Sequence, residues 1–263
     1  MREKIGRLRA NLRAHAPLLI AYSGGVDSAY LLAIAREELG EEMLGVIADS
    51  PSLPRQALAD ALGLAALIGA RVEVVATEEM RDENYVSNPM NRCYFCKAEL
   101  FTKLDELART RRFSAIAYGE NADDASQVRP GRKAADEFAV IAPLKEAGLT
   151  KAEIRVLSRE LGLPTADAPA QPCLSSRIPH GTPVTTQALA MIERGEALVR
   201  SLGFKIFRVR HIATDASPGA RVQIAPDEMP RLAPLQEPLI RGLLSVGYGD
   251  VEIDPDGYRG PSL

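Results

Sequence analysis

Apolar and polar positions along this chain follow two periods in alternation. After a charged, helix-like start ("MREKIGRLRANLRAH"), the stretch "PLLIAYSGGVDSAYLLAIAREELG" gives a short apolar run, a glycine turn and apolar residues at helical spacing up to Gly40. The pattern then recurs. "MLGVIAD" reads as a buried strand, "SLPRQALADALGLAALIG" as a helix, "RVEVVAT" as a strand, "KAELFTKLDELARTRR" as a helix and "FSAIAYG" as a further strand. Strands alternating with helices predict an α/β fold, a parallel sheet with helices on both faces. Ligands of such sheets sit beyond the carboxyl ends of the strands, where the loops "SGGVDS", "DSPS" and "GENADD" fall.

Between Asp167 and Pro183 the chain is proline-rich ("ADAPAQPCLSSRIPHGTPVT"), which blocks regular structure and marks a connector carrying a site. Beyond it "TTQALAMIERGEALVRSLG" has helical spacing, "FKIFRVRHI", "ARVQIA" and "DVEID" alternate like strands, and "PDEMPRLAPLQEPLIRGLLSVG" is partly helical. The expected organisation is a nucleotide-type α/β domain over 1–168, a connector over 169–183 and a small α+β domain over 184–263.

Composition narrows the partners. At 263 residues with a net charge of −3, the chain has no global basic field of the kind that holds nucleic acid backbones. The apolar run from Ala16 to Tyr22 is too short to span a membrane or form a signal core. The expectation is a cytoplasmic protein with no nucleic acid and no membrane partner. Its three cysteines cannot all pair within one chain, and a reducing compartment favours thiols or metal ligands.

In "SGGVDS", Gly24 and Gly25 let the backbone turn sharply and bring amides against phosphate oxygens, and the following helix adds its positive end. The loop lacks the lysine of the Walker A pattern and the spacing of the dinucleotide fingerprint. The blander alternative is a tight turn that uses glycine for geometry alone. Cys93 and Cys96 form a C-x-x-C pair in "NRCYFCK", and Cys173 lies far downstream in "QPCLSSRIPHG". These three suit a [4Fe–4S] cluster with one iron lacking a protein ligand. With His180 they would equally make a closed Cys3His zinc site, the pair alone could be a redox dithiol, and buried cysteines acting as small hydrophobes are the plainest alternative.

"SGGVDS" resembles the PP-loop of the ATP pyrophosphatases, which include NAD and GMP synthetases and tRNA thiolation enzymes. The resemblance implies cleavage of ATP between the α and β phosphates, transfer of AMP to a substrate oxygen and release of pyrophosphate. Ser23, Gly24, Gly25, Asp27 and Ser28 would hold the pyrophosphate with Mg2+, Asp27 being the magnesium candidate and Asp123 and Asp124 further candidates or simple turn formers. Asp49 and Ser50 of "DSPS" join the nucleotide-binding set.

A narrower resemblance covers nearly the whole chain. "SPSLPRQAL", "NPMNRCYFCK", "GENADD…RPG", "PCLSSRIPHG" and "FRVRH…ARVQI" occur in the order seen in LarE-type sulfur transferases of nickel-pincer-nucleotide cofactor biosynthesis, in the three-cysteine subgroup. It implies a [4Fe–4S] cluster on Cys93, Cys96 and Cys173 that delivers sulfur, with Cys173 matching the sacrificial cysteine of the single-cysteine form. It implies ATP as co-substrate and pyridinium-3,5-biscarboxylic acid mononucleotide as substrate, each adenylated carboxylate becoming a thiocarboxylate. A substrate with one phosphate and two carboxylates calls for arginines. Arg208 and Arg210 alternate on one strand face and match the positions expected to hold its phosphate. Ser176 and Arg177 would lie near the reacting sulfur, and Arg129 and Arg132 are nucleotide or substrate contacts unless they are ordinary surface arginines. A sulfur donor and a homo-oligomer, with a hexamer as the candidate form, are further implied. The chain departs from the family pattern at Gln223, where glutamate is expected, at His180, where tyrosine is usual, and at Ala168, where lysine often precedes Pro-Ala. The alternatives are another PP-loop enzyme, a tRNA thiolase or an ammonia-using synthetase, and a non-catalytic nucleotide and zinc sensor.

Overall fold

The structure is a computed structural model that describes residues 1–126, 130–169, 172–214 and 217–258. The chain divides into two compact units, Met1–Glu79 with Asn91–Gln171, and Met80–Met90 with Pro172–Leu263. The first contains α1 (Arg2–Ala14), β1 (Leu18–Ala21), α2 (Val26–Leu39), β2 (Met43–Asp49), α3 (Arg55–Ile68) and β3 (Val72–Ala76). The short helix α4 (Glu83–Val86) belongs with the second unit. The first unit resumes with α5 (Arg92–Arg111), β4 (Ala115–Tyr118), α6 (Pro130–Glu137), α7 (Pro143–Glu146) and α8 (Lys151–Glu160).

All pairings in the first sheet are parallel, in the order β3-β2-β1-β4. Both faces are covered, and β1 shows why. Leu18 and Ile20 pack with Leu8 and Leu12 of α1, with α2, and with Ile154 and Leu157 of α8. Leu19, between them, points the other way, into a core with Phe101 and Leu104 of α5, Ile116 of β4 and Ala134 and Ala135 of α6. Fully apolar strands are what a sheet buried on two sides requires.

The strand–helix alternation expected from the sequence is present through β4. Helix α5 begins at Arg92, ahead of the Lys97 start that apolar spacing indicates, so both cysteines of the C-x-x-C pair lie in its first turns. Cys93 is exposed and Cys96 half-buried, so neither contributes to an apolar stripe. The short helices α6, α7 and α8 were not expected either. One local signal for α8 stands in the sequence: Thr150 and Glu153 form a capping box at its start.

The second unit contains α9 (Thr186–Ser201), β5 (Phe207–Ile212), β6 (Gly219–Ile224), α10 (Gln236–Val246) and β7 (Asp250–Ile253). Its sheet runs β5-β6-β7, antiparallel between β5 and β6 and parallel between β6 and β7. This is the small α+β domain expected at the carboxyl end. Phe207, Val209 and His211 of β5 face its core with Val199 and Leu243, while Arg208 and Arg210 occupy the opposite face. Residues 80–90 are bound into this unit by Val184 N donating to Val86 O at 2.8 Å, and by Asn88. Its side-chain amide donates to Pro179 O and Thr182 O at 2.8 and 2.9 Å. Among the described residues no helix is long and apolar enough to cross a membrane.

Candidate functional site

In the first sheet, β1 lies between β2 and β4, so the strand order reverses direction between β1 and β4, the position at which parallel sheets open a ligand crevice. The loop after β1 is shaped for a close-approaching anion. Gly24 has φ +75°, and a Cβ there would stand 2.7 Å from Ala61 Cβ on α3, so both the turn and the packing require glycine. Gly25 opens α2 with no side-chain cap, which leaves the amides of the first turn turned outward. Ser28 ties the loop to the helix. Its hydroxyl donates to Gly25 O at 3.0 Å, accepts from Ser23 N at 3.2 Å and lies 3.1 Å from Ser23 Oγ. Gly119, at the end of β4, supports the same turn from below, because a Cβ there would meet Ser28 N at 2.8 Å.

Asp27 sits one residue before Ser28. Its Oδ2 accepts from Lys151 Nζ at 2.7 Å and from Asn121 Nδ2 at 3.3 Å, while Oδ1 is buried with no hydrogen-bond partner among the described residues. A carboxylate oxygen left in that state suits a hard cation, so the site fits Mg2+. Asp123 and Asp124 act first as turn formers. Their amides donate to Asn121 Oδ1 at 2.9 and 3.3 Å, Asp123 Oδ2 accepts from Lys151 N at 2.8 Å, and Asp124 Oδ2 accepts from Asn121 N at 3.3 Å.

The loop after β2 is also organised. Asp49 Oδ1 accepts from the Arg55 guanidinium at 2.6 Å, and buried Ser50 donates to Glu79 and lies 2.8 Å from Ser52 Oγ. Beyond β4, Glu120 is buried and accepts from Arg132 Nε at 2.7 Å, from Lys145 Nζ at 3.1 Å and from the Tyr118 hydroxyl. Burial alone would raise its pKa, but the three donors outweigh it and hold the carboxyl below its ordinary value. Burial, reinforced by the Glu120 contact, pushes the Tyr118 hydroxyl well up. Arg132 also donates to Asp124 O, so it braces the loop beside the crevice. Arg129 lies outside the described residues.

In the second unit Cys173 begins a tight turn. Its carbonyl accepts from Ser176 N at 3.0 Å, from Ser176 Oγ at 2.7 Å and from Arg177 at 3.0 Å. Arg177 is 3% exposed and forms a two-pronged pair with buried Glu196 of α9 at 2.8 and 3.0 Å, while its remaining nitrogen holds Pro172 O, Cys173 O and Ser176 Oγ. Arg177 therefore builds the turn. Arg210 reaches the same turn, donating to Ser176 O at 2.8 Å and to Gln223 Oε1 at 2.9 Å. Arg208 stacks over the Tyr258 ring at 4.6 Å and donates to Phe207 O at 2.6 Å. Burial, and next the Arg177 charge, lowers the pKa of both Arg208 and Arg210. Half-buried arginines pressed by a third arginine favour an anion as their partner. The Gln223 amide donates onward to Asp254 at 2.8 Å and adds no negative charge beside Arg210. His180 is exposed, and Ala168 O accepts from Arg155 at 3.0 Å.

The three cysteines divide between the units, Cys93 and Cys96 in the first and half-buried Cys173 in the second. Among the described residues no group of three or more His, Cys, Asp and Glu side chains is arranged to hold a metal ion. Cys93 and Cys96 lie three residues apart in the opening turns of one helix, a spacing whose donor chemistry suits two thiolate ligands of one metal or cluster.

Sequence reading did not single out Gly119, Glu120, Asn121, Lys145, Lys151, Glu79 or Glu196. The "GENADD" loop was in view, but its own residues gave no sign of these contacts. Lys151 stands 124 positions from Asp27, a separation that no local pattern reveals.

No family model matches the chain. An uncharacterised protein of Synechocystis sp. is 40% identical over 248 residues, 93% of this chain and 91% of that protein. Pyridinium-3,5-bisthiocarboxylic acid mononucleotide synthase of Lactiplantibacillus plantarum is 30% identical over 257 residues, 97% of this chain and 92% of the synthase. Glutamine-hydrolysing GMP synthase of Thermomicrobium roseum is 28% identical over 226 residues, 76% of this chain and 40% of that enzyme. The end-to-end likeness to the mononucleotide synthase, with the partial likeness to the GMP synthase beside it, places the chain: it belongs to the LarE-type family of ATP-dependent sulfur transferases, within the PP-loop ATP pyrophosphatase superfamily.

Proposed function

We propose that this sulfur transferase acts on pyridinium-3,5-biscarboxylic acid mononucleotide and produces the thiocarboxylate, two cycles giving the bis-thiocarboxylate of the nickel-pincer nucleotide. A substrate carboxylate oxygen attacks the α-phosphorus of ATP and pyrophosphate leaves. Sulfur then attacks the acyl carbon and AMP departs with the original oxygen. Activation as the acyl adenylate converts a poor leaving oxygen into a good one. The observation that carries this reading is Arg210, an anion-seeking side chain hydrogen-bonded to the turn that bears Cys173. Arg208 and Arg210 would hold the substrate phosphate, and Arg177 keeps the turn in place. Ser23, Gly24, Gly25 and Ser28 would receive the departing pyrophosphate, with Asp49 and Ser50 on the nucleotide and Arg132 bracing the loop. Asp27 would hold Mg2+, which supplies charge neutralisation at the phosphates.

Cys93, Cys96 and Cys173 would hold a [4Fe–4S] cluster, which when bound supplies one iron open to an exchangeable sulfur. A homo-oligomer, a sulfur donor and a cytoplasmic setting accompany this reading. Anaerobic purification followed by iron, sulfide and zinc analysis tests it. About four irons per chain, with visible absorption lost in Cys173→Ala, is the expected result. Stoichiometric zinc with no charge-transfer absorption would overturn the cluster.

A further inference from the structure

The scheme above leaves one well-ordered contact of Cys173 without a task. The backbone of its turn is fixed by the three donors on its carbonyl oxygen. Its side chain is held separately, with Sγ 3.1 Å from Ser175 Oγ. Ser175 is fully buried, and its oxygen receives the hydroxyl proton of Tyr85, a side chain only 1% exposed, at 3.3 Å. A serine hydroxyl has one proton to give and lone pairs to accept with. Either atom of the Cys173–Ser175 pair can be the donor when the sulfur is a thiol; as a thiolate, the form that binds iron, the sulfur has no proton, and the contact is then an O–H···S bond in which the sulfur accepts.

Tyr85 is itself held firmly. It lies in the 80–90 strip, where Asn88 is fully buried with φ +56°, a left-handed conformation that asparagine tolerates. The side-chain amide of Asn88 donates to the carbonyls of Ile178, Pro179 and Thr182, and its backbone carbonyl accepts from Gly181 N at 3.0 Å. Strip, tyrosine, serine and sulfur thus form one connected path, and only its last atom is part of the chemistry.

We propose that Ser175 is a positioning residue for sulfur transfer, holding the Cys173 sulfur in one orientation through an O–H···S bond, with Tyr85 fixing the direction of the serine hydroxyl. This rests on the reading of Cys173 as a ligand of the sulfur-delivering cluster. A half-buried cysteine at the edge of a turn has several side-chain rotamers, and each would set a cluster held by its sulfur differently against the reacting acyl carbon, where a displacement of one ångström costs on the order of a hundredfold in rate. The O–H···S bond selects among those rotamers before the acyl adenylate arrives.

Ser175→Ala and Tyr85→Phe in the full-length protein test the proposal, with two rates measured for each. Substrate-dependent exchange of pyrophosphate into ATP reads adenylation, and single-turnover thiocarboxylate formation reads sulfur transfer. Ser175→Ala is expected to leave exchange at the wild-type rate and to slow transfer on the order of tenfold, as loss of a supporting partner does at comparable sites. Tyr85→Phe is expected to slow the same step by less. In the anaerobically iron-loaded protein, Ser175→Ala is expected to move the midpoint potential to a more negative value, because hydrogen bonds to the sulfurs set that potential. Unchanged transfer in Ser175→Ala, or equal slowing of exchange and transfer in both variants, would overturn the proposal, the latter showing a merely structural role. Should Ser175→Ala lose exchange through misfolding, Tyr85→Phe decides by the same two rates. Full sulfur transfer in Cys173→Ala would instead remove the underlying reading. That failure is recognisable because it appears without any change at Ser175.

Discussion

Gln223 shows how one uncharged amide sets the character of a charged site. It accepts from Arg210 and donates to Asp254, bridging a cation and an anion while contributing no charge. A glutamate, the residue expected there from the family pattern, would neutralise Arg210. Gln223→Glu is therefore expected to raise KM for the mononucleotide severalfold while changing kcat less, a split that steady-state kinetics resolves. Glu196 has the opposite task, as the carboxylate that compensates buried Arg177. Glu196→Ala leaves Arg177 buried beside Arg208 and Arg210, and thermal unfolding should show a loss of about 3–5 kcal/mol. An unchanged melting temperature would contradict that reading. Arg208 and Arg210 were legible in the sequence because strand alternation puts them on one face. The partner of Arg177 was not, since it lies 19 residues away on a helix whose pattern shows only its apolar stripe.

Helices differ in how much of their placement the sequence carries. The strand, glycine turn and helix from β1 to α2 can be read locally because each part has its own signature: apolar run, paired glycines, helical spacing. The start of α5 is hidden, since its opening turns carry exposed or half-buried cysteines in place of an apolar stripe. Helix α8 is short, and beside the core packing of Ile154 and Leu157 its start is fixed by polar contacts. Glu153 closes its capping box on Thr150 and accepts from Lys4 of α1 at 2.7 Å. The Lys4 contact first, then the Thr150 amide, lowers the Glu153 carboxyl from 4.5 to about 2. A carboxyl depressed in the folded state contributes stability that is complete above its unfolded value, near 4.5, and is lost as pH falls through about 2. Across that window the wild type should lose more stability than Glu153→Gln, which cannot titrate. Parallel losses in acid melts of the two proteins would contradict the assignment.

At the scale of the whole chain, a net charge of −3 conceals a strongly uneven distribution. Arg177, Arg208 and Arg210 gather within the second unit, with Glu196 paired to Arg177 and Asp254 reached from Arg210 through Gln223, a local cluster of positive charge in a chain that is acidic as a whole. The α/β architecture followed from alternation alone, because a parallel sheet buried on both faces repeats one simple pattern. Membership of the 80–90 strip in the second unit could not follow from it. The contacts that secure the strip, such as Tyr85 to Ser175 and Asn88 to Pro179, join residues about 90 positions apart and depend on polar atoms that periodicity does not register. The proposed reaction is the ATP-driven replacement of a carboxylate oxygen by sulfur on the pyridinium mononucleotide. Mass spectrometry of the anaerobic reaction with ATP, Mg2+, that mononucleotide and a sulfide source tests it most directly. The expected product has oxygen replaced by sulfur, with one AMP and one pyrophosphate released per sulfur gained. AMP released with no sulfur-containing product, or no AMP at all, would contradict it.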